Sequence, residues 1–397
     1  MIGISKLYCG TVEASDPLRY GRQAKELPSH LLQFSQDKKP IVVWNTTRRC
    51  NLSCVHCYSQ SANCCYPDEL TTEEGLALLE DLVEFGVPVV LFSGGEPLMR
   101  EDLLRLIGQA RKAGLRAVIS TNGTLIDEEK AAQFAELGVR YVGVSLDGMR
   151  ETNDKFRHHQ GAFEKALGGM RCCRQAGVKV GLRFTINKRN VQDVADIFQL
   201  LIEEDIPRVC FYHLVYAGRG TNLRDEDLDL EETRRVVNLI MDKTAQMHAQ
   251  GMHKEVLTVD NHCDGPYLYL RMLRENNERA GEVMKLLKMN GGNGSGIGIG
   301  CVSWDGKVHA DQFWRHHSFG NVRARKFSEI WMDTNEPLMA QLKERREFLQ
   351  GRCATCRFQD VCNGNFRVRA EAATGNLWAP DPACYLTDDE ISPAAQE

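Results

Sequence analysis

Apolar residues recur along the chain in short runs with the character of β-strands, separated by stretches whose apolar positions follow a helical period. Six runs predict strands, at residues 41–44, 87–92, 115–120, 140–145, 178–184 and 208–214. The helical stretches between them end at Gly86, Gly114, Gly138 and Gly177, each just before the next strand. Repeated strand–helix units favour a parallel sheet covered by its crossover helices.

The helix between the first two strands carries the clearest start and stop signals. Leu79 and Leu82 lie on one face of it, and Thr71 and Glu74 match the capping box that begins a helix. Six strand–helix units are too few to close an eightfold barrel. The predicted fold is therefore α/β, a TIM-like partial (β/α)6 barrel with a small C-terminal domain.

The alternation stops after residue 214, which divides the sequence into four predicted segments. They are an N-terminal extension over residues 1–39, a barrel core over 40–215, a helical bridge with a glycine-rich linker over 216–300, and a cysteine-bearing domain over 301–397.

The bridge is predicted to have helices over residues 230–247 and 267–289, with no strand between them. Its last stretch, residues 290–300, is rich in glycine but contains neither the G-x-G-x-x-G pattern nor the P-loop pattern. We therefore expect a flexible linker or lid there and no nucleotide-binding loop.

Composition narrows the function classes. The 397 residues are 43% hydrophobic and 26% charged, enough for a large core, and the net charge of -5 with interspersed signs gives no basic stripe for nucleic acid. The longest apolar run, residues 87–92, is far shorter than a membrane span, and no signal-peptide pattern is present, so we expect a cytoplasmic protein. In that reducing compartment, the fifteen cysteines indicate metal or cluster ligands more than disulfides.

Three cysteines follow the first strand in a single loop, spaced Cys50-x3-Cys54-x2-Cys57. A 4Fe–4S cluster has four irons, so three thiolates leave one iron open to an exogenous ligand. Structural zinc fits the triplet poorly because it takes four protein ligands, although Cys64 or Cys65 could supply a fourth.

Glycine and polar residues follow the next three strands, at the strand ends where parallel α/β folds bind ligands. These stretches are Ser93-Gly94-Gly95-Glu96-Pro97, Ser120-Thr121-Asn122-Gly123 and Ser145-Leu146-Asp147-Gly148. Gly94 and Gly95 allow close backbone approach, and the Glu96 carboxylate can accept from an ammonium group. Each stretch alone is ordinary turn chemistry, but their shared position indicates a ligand site.

The cysteine loop and the Gly-Gly-Glu-Pro stretch closely resemble the hallmarks of the radical S-adenosylmethionine (SAM) superfamily. The resemblance implies that Cys50, Cys54 and Cys57 hold a 4Fe–4S cluster, with the SAM amino and carboxylate groups on its open iron. Gly94, Gly95 and Glu96 are then expected to receive the methionyl amine. The SAM ribose and carboxylate are expected near Ser120, Asn122, Ser145, Asp147 and Arg157.

One position departs from the superfamily pattern. The residue before the third cysteine is usually aromatic, and here it is His56. We expect His56 to pack near the adenine and not to bind metal.

A second cysteine set lies near the C-terminus, Cys353-x2-Cys356-x5-Cys362 followed by Cys384. Four thiolates suit either a 4Fe–4S cluster or a structural zinc, and spacing alone does not separate these. The set resembles half of the SPASM domain, a C-terminal extension of many radical SAM enzymes whose full form holds two clusters. That resemblance implies one auxiliary 4Fe–4S cluster here.

Other residues of this region resemble SPASM positions without being full matches. Asp311 and Phe366 stand where further cluster cysteines are expected, and Cys301 has the place of a remnant ligand. His316 and His317 follow an aromatic stretch and are either ordinary surface or core residues or contacts to a planar substrate or its iron. The remaining cysteines lack ligand spacing and are predicted to be small buried residues: Cys9, Cys172, Cys173, Cys210 and Cys263.

Residues 1–10, 16–21 and 311–321 resemble the radical SAM enzymes of sirohaem-dependent haem and haem d1 biosynthesis. The resemblance implies that a 5′-deoxyadenosyl radical takes hydrogen from a tetrapyrrole, and that the acetate side chains of 12,18-didecarboxysirohaem are removed to give iron-coproporphyrin III. It also implies a low-potential electron donor such as ferredoxin or flavodoxin. Arginines pair well with the substrate carboxylates, and the expected substrate residues are Arg19, Arg22, Arg219 and Arg315, with Tyr216 and His316.

Four alternatives stay open at this point. Within the superfamily they are a haem d1 enzyme that removes propionates, a coprohaem oxidative decarboxylase, and a peptide-modifying SPASM maturase. From a different class, both cysteine sets could belong to a non-catalytic iron–sulfur or zinc redox sensor. The Gly-Gly-Glu-Pro stretch favours an enzyme, because a sensor needs no ligand cradle.

Overall fold

The computed structural model describes residues 1–11 and 39–392. Within them, eleven strands form one sheet in the order β1-β8-β7-β6-β5-β4-β3-β2-β9-β10-β11. The strands are β1 Ile2–Gly3, β2 Ile41–Asn45, β3 Val89–Ser93, β4 Arg116–Thr121, β5 Tyr141–Ser145, β6 Val180–Ile186, β7 Arg208–His213, β8 Glu255–Val259, β9 Ile299–Val302, β10 Lys307–His309 and β11 Gly320–Asn321.

The sheet is parallel from β9 through β2 to β8, and antiparallel pairings add β1 at one edge and β10 and β11 at the other. All six predicted strands are present, with ends within two residues of those expected. The prediction of an α/β partial barrel is confirmed. Residues 1–11, predicted as part of an extension, contribute the edge strand β1, which pairs with β8.

Helices connect the parallel strands and cover the sheet. Their bounds are Ile4–Leu7, Thr72–Phe85, Leu103–Lys112, Glu128–Glu136, Arg150–Arg157, Ala162–Gln175, Val194–Glu203, Leu230–Ala249, Asp264–Arg274, Ala280–Asn290, Phe327–Met332, Pro337–Lys343, Gln359–Cys362, Arg367–Thr374 and Asp388–Ile391. The capping box predicted at Thr71 and Glu74 is confirmed, and Gly86 ends that helix with a φ of 84°. None of the helices in the described ranges has the length and apolar character needed to cross a membrane.

Alternate residues of the strands face different surroundings. Trp44 and Phe92 are fully buried in the main hydrophobic core, whereas Val43 and Leu91 line a central cavity. Gly75 lets the first long helix approach the sheet closely, because a Cβ there would come within 2.7 Å of the Trp44 ring. The period-2 pattern of each strand therefore separates the core from the wall of the cavity.

Two predictions for the bridge are wrong. A strand, β8, lies between its helices, and the helix predicted over residues 267–289 is two helices separated near Asn276, which has a φ of 52°. β8 is only five residues long and begins with Glu255. It is a strand because β7 and β1 pair with it on either side, and neither pairing is visible in its own sequence.

The glycine-rich stretch is also not a flexible linker. A Cβ on Gly292 would come within 2.3 Å of the Cys362 carbonyl, and one on Gly300 within 2.6 Å of the Trp331 ring. Residues 299–302 form β9, which pairs with β2. The glycines are needed for close packing, and the boundary predicted at residue 300 falls inside a strand.

Candidate active site

The cysteine loop lies between β2 and the helix Thr72–Phe85, at the carboxyl end of the sheet. Cys50 and Cys54 are buried and Cys57 is half-buried. Burial raises the pKa of the Cys50 thiol to about 12. The sulfur of Cys57 lies 3.2 Å from Ser59 Oγ and 3.5 Å from the Ser61 amide, so the loop supplies polar contacts around this sulfur atom.

Neither cysteine set has the compact geometry of a preformed zinc site. In the described residues, three His, Cys, Asp or Glu ligand atoms lie within 4.8 Å of one another only at His316, His317 and Glu371, so neither cysteine set does so. A tetrahedral zinc with Zn–S bonds of about 2.3 Å needs sulfurs only about 3.8 Å apart. A 4Fe–4S cluster binds each thiolate on a different iron and so accepts more widely spaced sulfurs than zinc does.

Gly94 and Gly95 join the loop after β3 to the segment that enters the cysteine loop. The Gly95 amide donates to the Thr47 carbonyl at 2.7 Å, and the Glu96 amide donates to the Arg49 carbonyl at 2.8 Å. A Cβ on Gly94 or Gly95 would come within 2.5 Å of backbone oxygens of this segment. The two glycines therefore position the cysteine loop, and contact with the methionyl amine stays a prediction.

The Glu96 carboxylate is completely buried and joins two strand ends. It accepts from Thr121 Oγ1 at 2.7 Å, from the Asn122 amide at 2.7 Å and from the Leu98 amide at 3.1 Å. Burial raises its pKa to about 7, against the opposing effect of these hydrogen bonds. Glu96 thus lies at the predicted SAM edge, and with this pKa its carboxyl group is about half ionised at pH 7.

Arg157, Asp147 and His56 form a polar group beside the second cysteine. Arg157 Nη1 lies 3.3 Å from the Cys54 sulfur, and its other terminal nitrogen is paired with Asp147. The His56 ring packs 4.7 Å from that of Phe156, and its Nε2 lies 3.6 Å from Asp147 Oδ2. Burial lowers the pKa of His56 to about 4, so the ring is neutral.

Two buried nitrogens of this group are unsatisfied in the described part of the chain, His56 Nδ1 and Arg157 Nε. Unpaired buried donors and acceptors of this kind suit a polar ligand such as SAM. Of the other predicted SAM residues, Asn122 donates to Asn51 at 2.8 Å and Ser120 accepts from Arg183 at 2.5 Å. Ser145 lines the central cavity with Ser120 and Asp147, so these residues share one edge of the sheet.

The central cavity has a volume of about 1050 Å³. His56, Asp147 and Arg157 line it on the cysteine-loop side, and apolar strand residues such as Val43 and Val118 line its wall. This volume is at the upper end of the range for sites that bind large organic ligands. The cavity therefore has room for a large, partly apolar ligand next to the predicted SAM site.

The four predicted auxiliary cysteines lie close together. Cys353, Cys356, Cys362 and Cys384 line one small cavity in the C-terminal part of the chain. Cys263 lines it too, and its thiol interacts with that of Cys384. The sequence spacing could not reveal this contact, because Cys263 lies 121 residues before Cys384.

Comparisons with known proteins agree with this geometry. Residues 44–201 match the radical SAM superfamily model, and residues 299–357 match SPASM, described as an iron–sulfur cluster-binding domain. The chain is 67% identical over 394 residues to the Fe-coproporphyrin III synthase of Methanosarcina barkeri, covering 98% of this chain and 99% of that protein. The chain belongs to the radical SAM superfamily.

Other relatives of this radical SAM enzyme support the same placement. It is 43% identical to the pre-heme d1 synthase of Dinoroseobacter shibae, over 90% of this chain and 88% of the relative. The solved structure of Streptococcus suis SuiB bound to S-adenosylmethionine has a TM-score of 0.71 and 16% identity, over 96% of this chain and 87% of that one. This last likeness concerns the fold.

As a radical SAM enzyme with a SPASM domain, the chain uses a 4Fe–4S cluster, SAM and an auxiliary iron–sulfur cluster. We expect Cys50, Cys54 and Cys57 to hold the first cluster and the four C-terminal cysteines to hold the second. Cys301 and Asp311 do not line the auxiliary cavity. Cys301 lies on β9, where its sulfur is 3.5 Å from Asn45 Nδ2.

The predicted substrate residues of this radical SAM enzyme mostly support its loops. Arg219 donates to the Cys54 carbonyl at 2.8 Å, and Arg315 Nη1 lies 3.5 Å from the Tyr58 carbonyl, with its guanidinium over the Trp304 ring.

Tyr216 donates to Asp227 at 2.7 Å, and His316 lies 2.9 Å from Glu371. Neither of these side chains lines the central cavity, and neither do Arg219 and Arg315. Arg19 and Arg22 lie outside the described residues. A substrate role for each of these six stays a prediction.

Sequence reasoning missed several cavity residues. Asp260 and His262 follow β8, the strand that was not predicted. Gln312 lies between Asp311 and Arg315, which were both discussed, but it was not itself named as a site residue. The short run of residues 256–259, apolar and β-branched, is the local signal that could have indicated β8 and therefore its carboxyl end.

Proposed function

We propose that this radical SAM enzyme removes the acetate side chains of 12,18-didecarboxysirohaem and releases iron-coproporphyrin III. The observation that carries the proposal is the 67% identity to an Fe-coproporphyrin III synthase across 98% of the chain. With Cys50, Cys54 and Cys57 holding the cluster, bound SAM would supply radical chemistry that abstracts hydrogen from the tetrapyrrole.

The central cavity supports a tetrapyrrole substrate. A macrocycle has two apolar faces and a rim of carboxylates, and the cavity of about 1050 Å³ combines an apolar strand wall with polar groups at its edges. Val43, Leu91 and Val118 line the wall, whereas Arg183 and His213 are among the polar residues. This distribution lets the ring lie against apolar side chains while its carboxylates reach polar ones.

The protein groups at the cysteine-loop side position SAM in this proposal. The Cys54 sulfur accepts from Arg157, which keeps that guanidinium directed at the cluster site. His56 is neutral and stacked on Phe156, so it can contact the adenine by packing while its Nδ1 accepts or donates one hydrogen bond. Burial of these groups excludes water from the place where the radical forms.

The remaining parts of the proposal concern partners. The electron is expected to come from a low-potential ferredoxin or flavodoxin, in the cytoplasm. The auxiliary cluster would lie next to the loop after β8. Cys263 lines the cavity of the auxiliary cysteines and is only three residues after Asp260 in that loop. That position suits either electron transfer or anchoring of the cavity wall.

The test is anaerobic turnover with reduced enzyme, SAM and 12,18-didecarboxysirohaem. We expect 5′-deoxyadenosine together with a tetrapyrrole mass that has lost two acetate side chains. Loss of propionate mass would instead support the activity named for the pre-heme d1 synthase relative, and deoxyadenosine with unchanged tetrapyrrole would contradict the proposal. A Cys54→Ala variant is the matched control and should give neither product.

A further inference from the structure

The loop after β8 places two acid–base side chains on the wall of the central cavity. Asp260 follows the strand directly, and His262 is two residues further on. The two residues are 7% and 6% exposed. Because parallel barrels bind ligands at the carboxyl ends of their strands, this loop lies at the functional edge of the sheet.

The described part of the protein leaves these side chains unsatisfied. Asp260 Oδ2 and His262 Nδ1 have no hydrogen-bond partner among residues 1–11 and 39–392. Gln312 Oε1 lines the same cavity and also has none in those ranges. Buried polar atoms are normally paired, so these three, among eight unpartnered atoms on described residues that line the cavity, indicate that a polar ligand completes them.

Two neighbouring buried carboxylates, those of Asp264 and Asp311, differ from Asp260 because both of their oxygens have hydrogen-bond partners. Asp264 Oδ2 lies 2.9 Å from His213 Nε2, and Asp264 Oδ1 accepts from Tyr385 at 2.8 Å. Asp311 accepts from one hydroxyl and two backbone amides. Both oxygens of these two carboxylates therefore accept hydrogen bonds within the protein, whereas Asp260 Oδ2 accepts none from the described residues.

The loop is held rigidly in place. Asp260 has a φ of 65°, in the left-handed region that non-glycine residues rarely adopt, and such conformations concentrate at functional sites. Arg369 donates to the Asp260 carbonyl at 2.9 Å, and the His262 amide donates to Asn365 at 2.6 Å. Asn365 also donates to Asn261 at 2.7 Å. The two acid–base groups are thus preorganised by the C-terminal part of the chain.

Burial sets the charge of the pair. It raises the pKa of Asp260 to about 7 and lowers the pKa of His262 well below its ordinary value. The charged or titratable groups that face them are the N-terminal amine, His213, Asp311, Arg345 and Arg369. Near neutral pH, much of Asp260 is protonated and can donate its O–H, and neutral His262 can donate an N–H.

We propose that Asp260 and His262 form a subsite that binds a carboxylate side chain of the tetrapyrrole, an assignment that rests on the proposed function. A carboxylate presents two acceptor oxygens, which match one O–H and one N–H donor. The same cavity is lined by His56, Asp147 and Arg157 on the cysteine-loop side. Holding one rim carboxylate at the β8 loop therefore fixes which edge of the macrocycle is presented to the radical.

The test compares binding of 12,18-didecarboxysirohaem and of its methyl ester to protein with intact clusters, followed by the change in tetrapyrrole absorbance. We expect Asp260→Ala and His262→Ala each to weaken binding of the acid about tenfold or more, as for loss of a charge-assisted hydrogen bond. Asp260→Asn keeps an N–H donor and should bind within about threefold of the wild type. The alanine variants should also lose much of the preference for the acid over the ester.

Asp81→Asn is the matched control, because Asp81 is a buried aspartate bonded to Ser328 and outside the cavity. It should bind both tetrapyrroles as the wild type does. Deoxyadenosine formation without tetrapyrrole should also be unchanged in Asp81→Asn, which shows that radical generation tolerates loss of a buried aspartate elsewhere. If an alanine variant does not fold, the subsite is tested by the affinity of Asp260→Asn and by the preference of the wild type for the acid over the ester.

Wild-type affinity in both alanine variants, or equal wild-type affinity for acid and ester, would overturn the subsite. Equal weakening by Asp260→Asn and Asp260→Ala would overturn the donor role of Asp260. These outcomes leave the proposed function standing as long as the wild type converts the tetrapyrrole. A wild type that neither binds nor converts it would remove the proposed function and the subsite together.

Discussion

The ion pair between Arg369 and Asp381 is the interaction whose removal the structure makes easiest to evaluate. Both side chains are completely buried, and the guanidinium donates to both carboxylate oxygens at 2.8 and 2.9 Å. Its remaining donors reach the carbonyls of Leu214 and Asp260, at the ends of β7 and β8. Arg369 therefore ties the helix Arg367–Thr374 to the carboxyl edge of the sheet.

Asp381→Asn should destabilise the protein strongly, because it leaves a buried guanidinium without its counter-charge. Breaking such a pair on one side costs about 3–5 kcal/mol. With an unfolding entropy of about 2.1 cal/mol/K per residue, this lowers the Tm by about 4–6 °C for a chain of 397 residues. The loss should also shift the β8 loop and reduce tetrapyrrole turnover more than tetrapyrrole-free deoxyadenosine formation.

The assay is differential scanning calorimetry of the cluster-loaded protein under anaerobic conditions, at one scan rate. Glu84→Gln is the matched control, because Glu84 pairs with Lys326 where both side chains are more than half exposed. Exposed pairs contribute about 0–1 kcal/mol, so the Tm of this variant should change by about 1 °C or less. If Asp381→Asn has the same Tm as the wild type and Glu84→Gln, the buried ion pair does not stabilise the contact between the helix Arg367–Thr374 and the sheet.

Three further predictions concern pH, the auxiliary site and the cysteine loop. The folded pKa of Asp260, about 7, lies above its unfolded value of 3.8. The stability that Asp260 contributes is therefore full below pH 3.8 and is lost as pH rises through 7. Over this pH window the Tm of Asp260→Asn should increasingly exceed that of the wild type. Cys384→Ala should lose auxiliary iron and Cys263→Ala should retain it, by iron analysis and Mössbauer spectroscopy, whereas equal loss would make Cys263 a ligand. Gly95→Ala should destabilise by about 1–3 kcal/mol and lower SAM-dependent cluster signals, because its Cβ meets backbone oxygen; unchanged signals would show that the loop can shift away.

The cysteine loop and the six predicted strands could be read from the sequence because their signals are local. The spacing of Cys50, Cys54 and Cys57 places three thiolates in one loop whatever surrounds it, and each predicted strand has its own apolar run. The helix that begins at Thr72 likewise carries its capping residues within four positions. These features needed no knowledge of distant parts of the chain.

The direction of long polar side chains could not be predicted in the same way. Arg219 and Arg315 were expected to meet substrate carboxylates, but they donate to carbonyls of the cysteine-loop region. The glycines after β3 were expected to admit a ligand, and a Cβ there meets backbone. An arginine or glycine has the same local signal for both roles, because the partner comes from a remote segment.

The sequence by itself determined the α/β alternation, the cluster-binding loop and the superfamily, since each depends on neighbours in the chain. Only the tertiary structure decided that residues 255–259 are a strand, that residues 299–302 continue the sheet, and that Cys263 meets Cys384. It also decided that Asp260 and His262 line the cavity. In each case the pairing or burial that defines the residue is supplied by segments far away in sequence, so a weak local pattern such as residues 256–259 does not decide it.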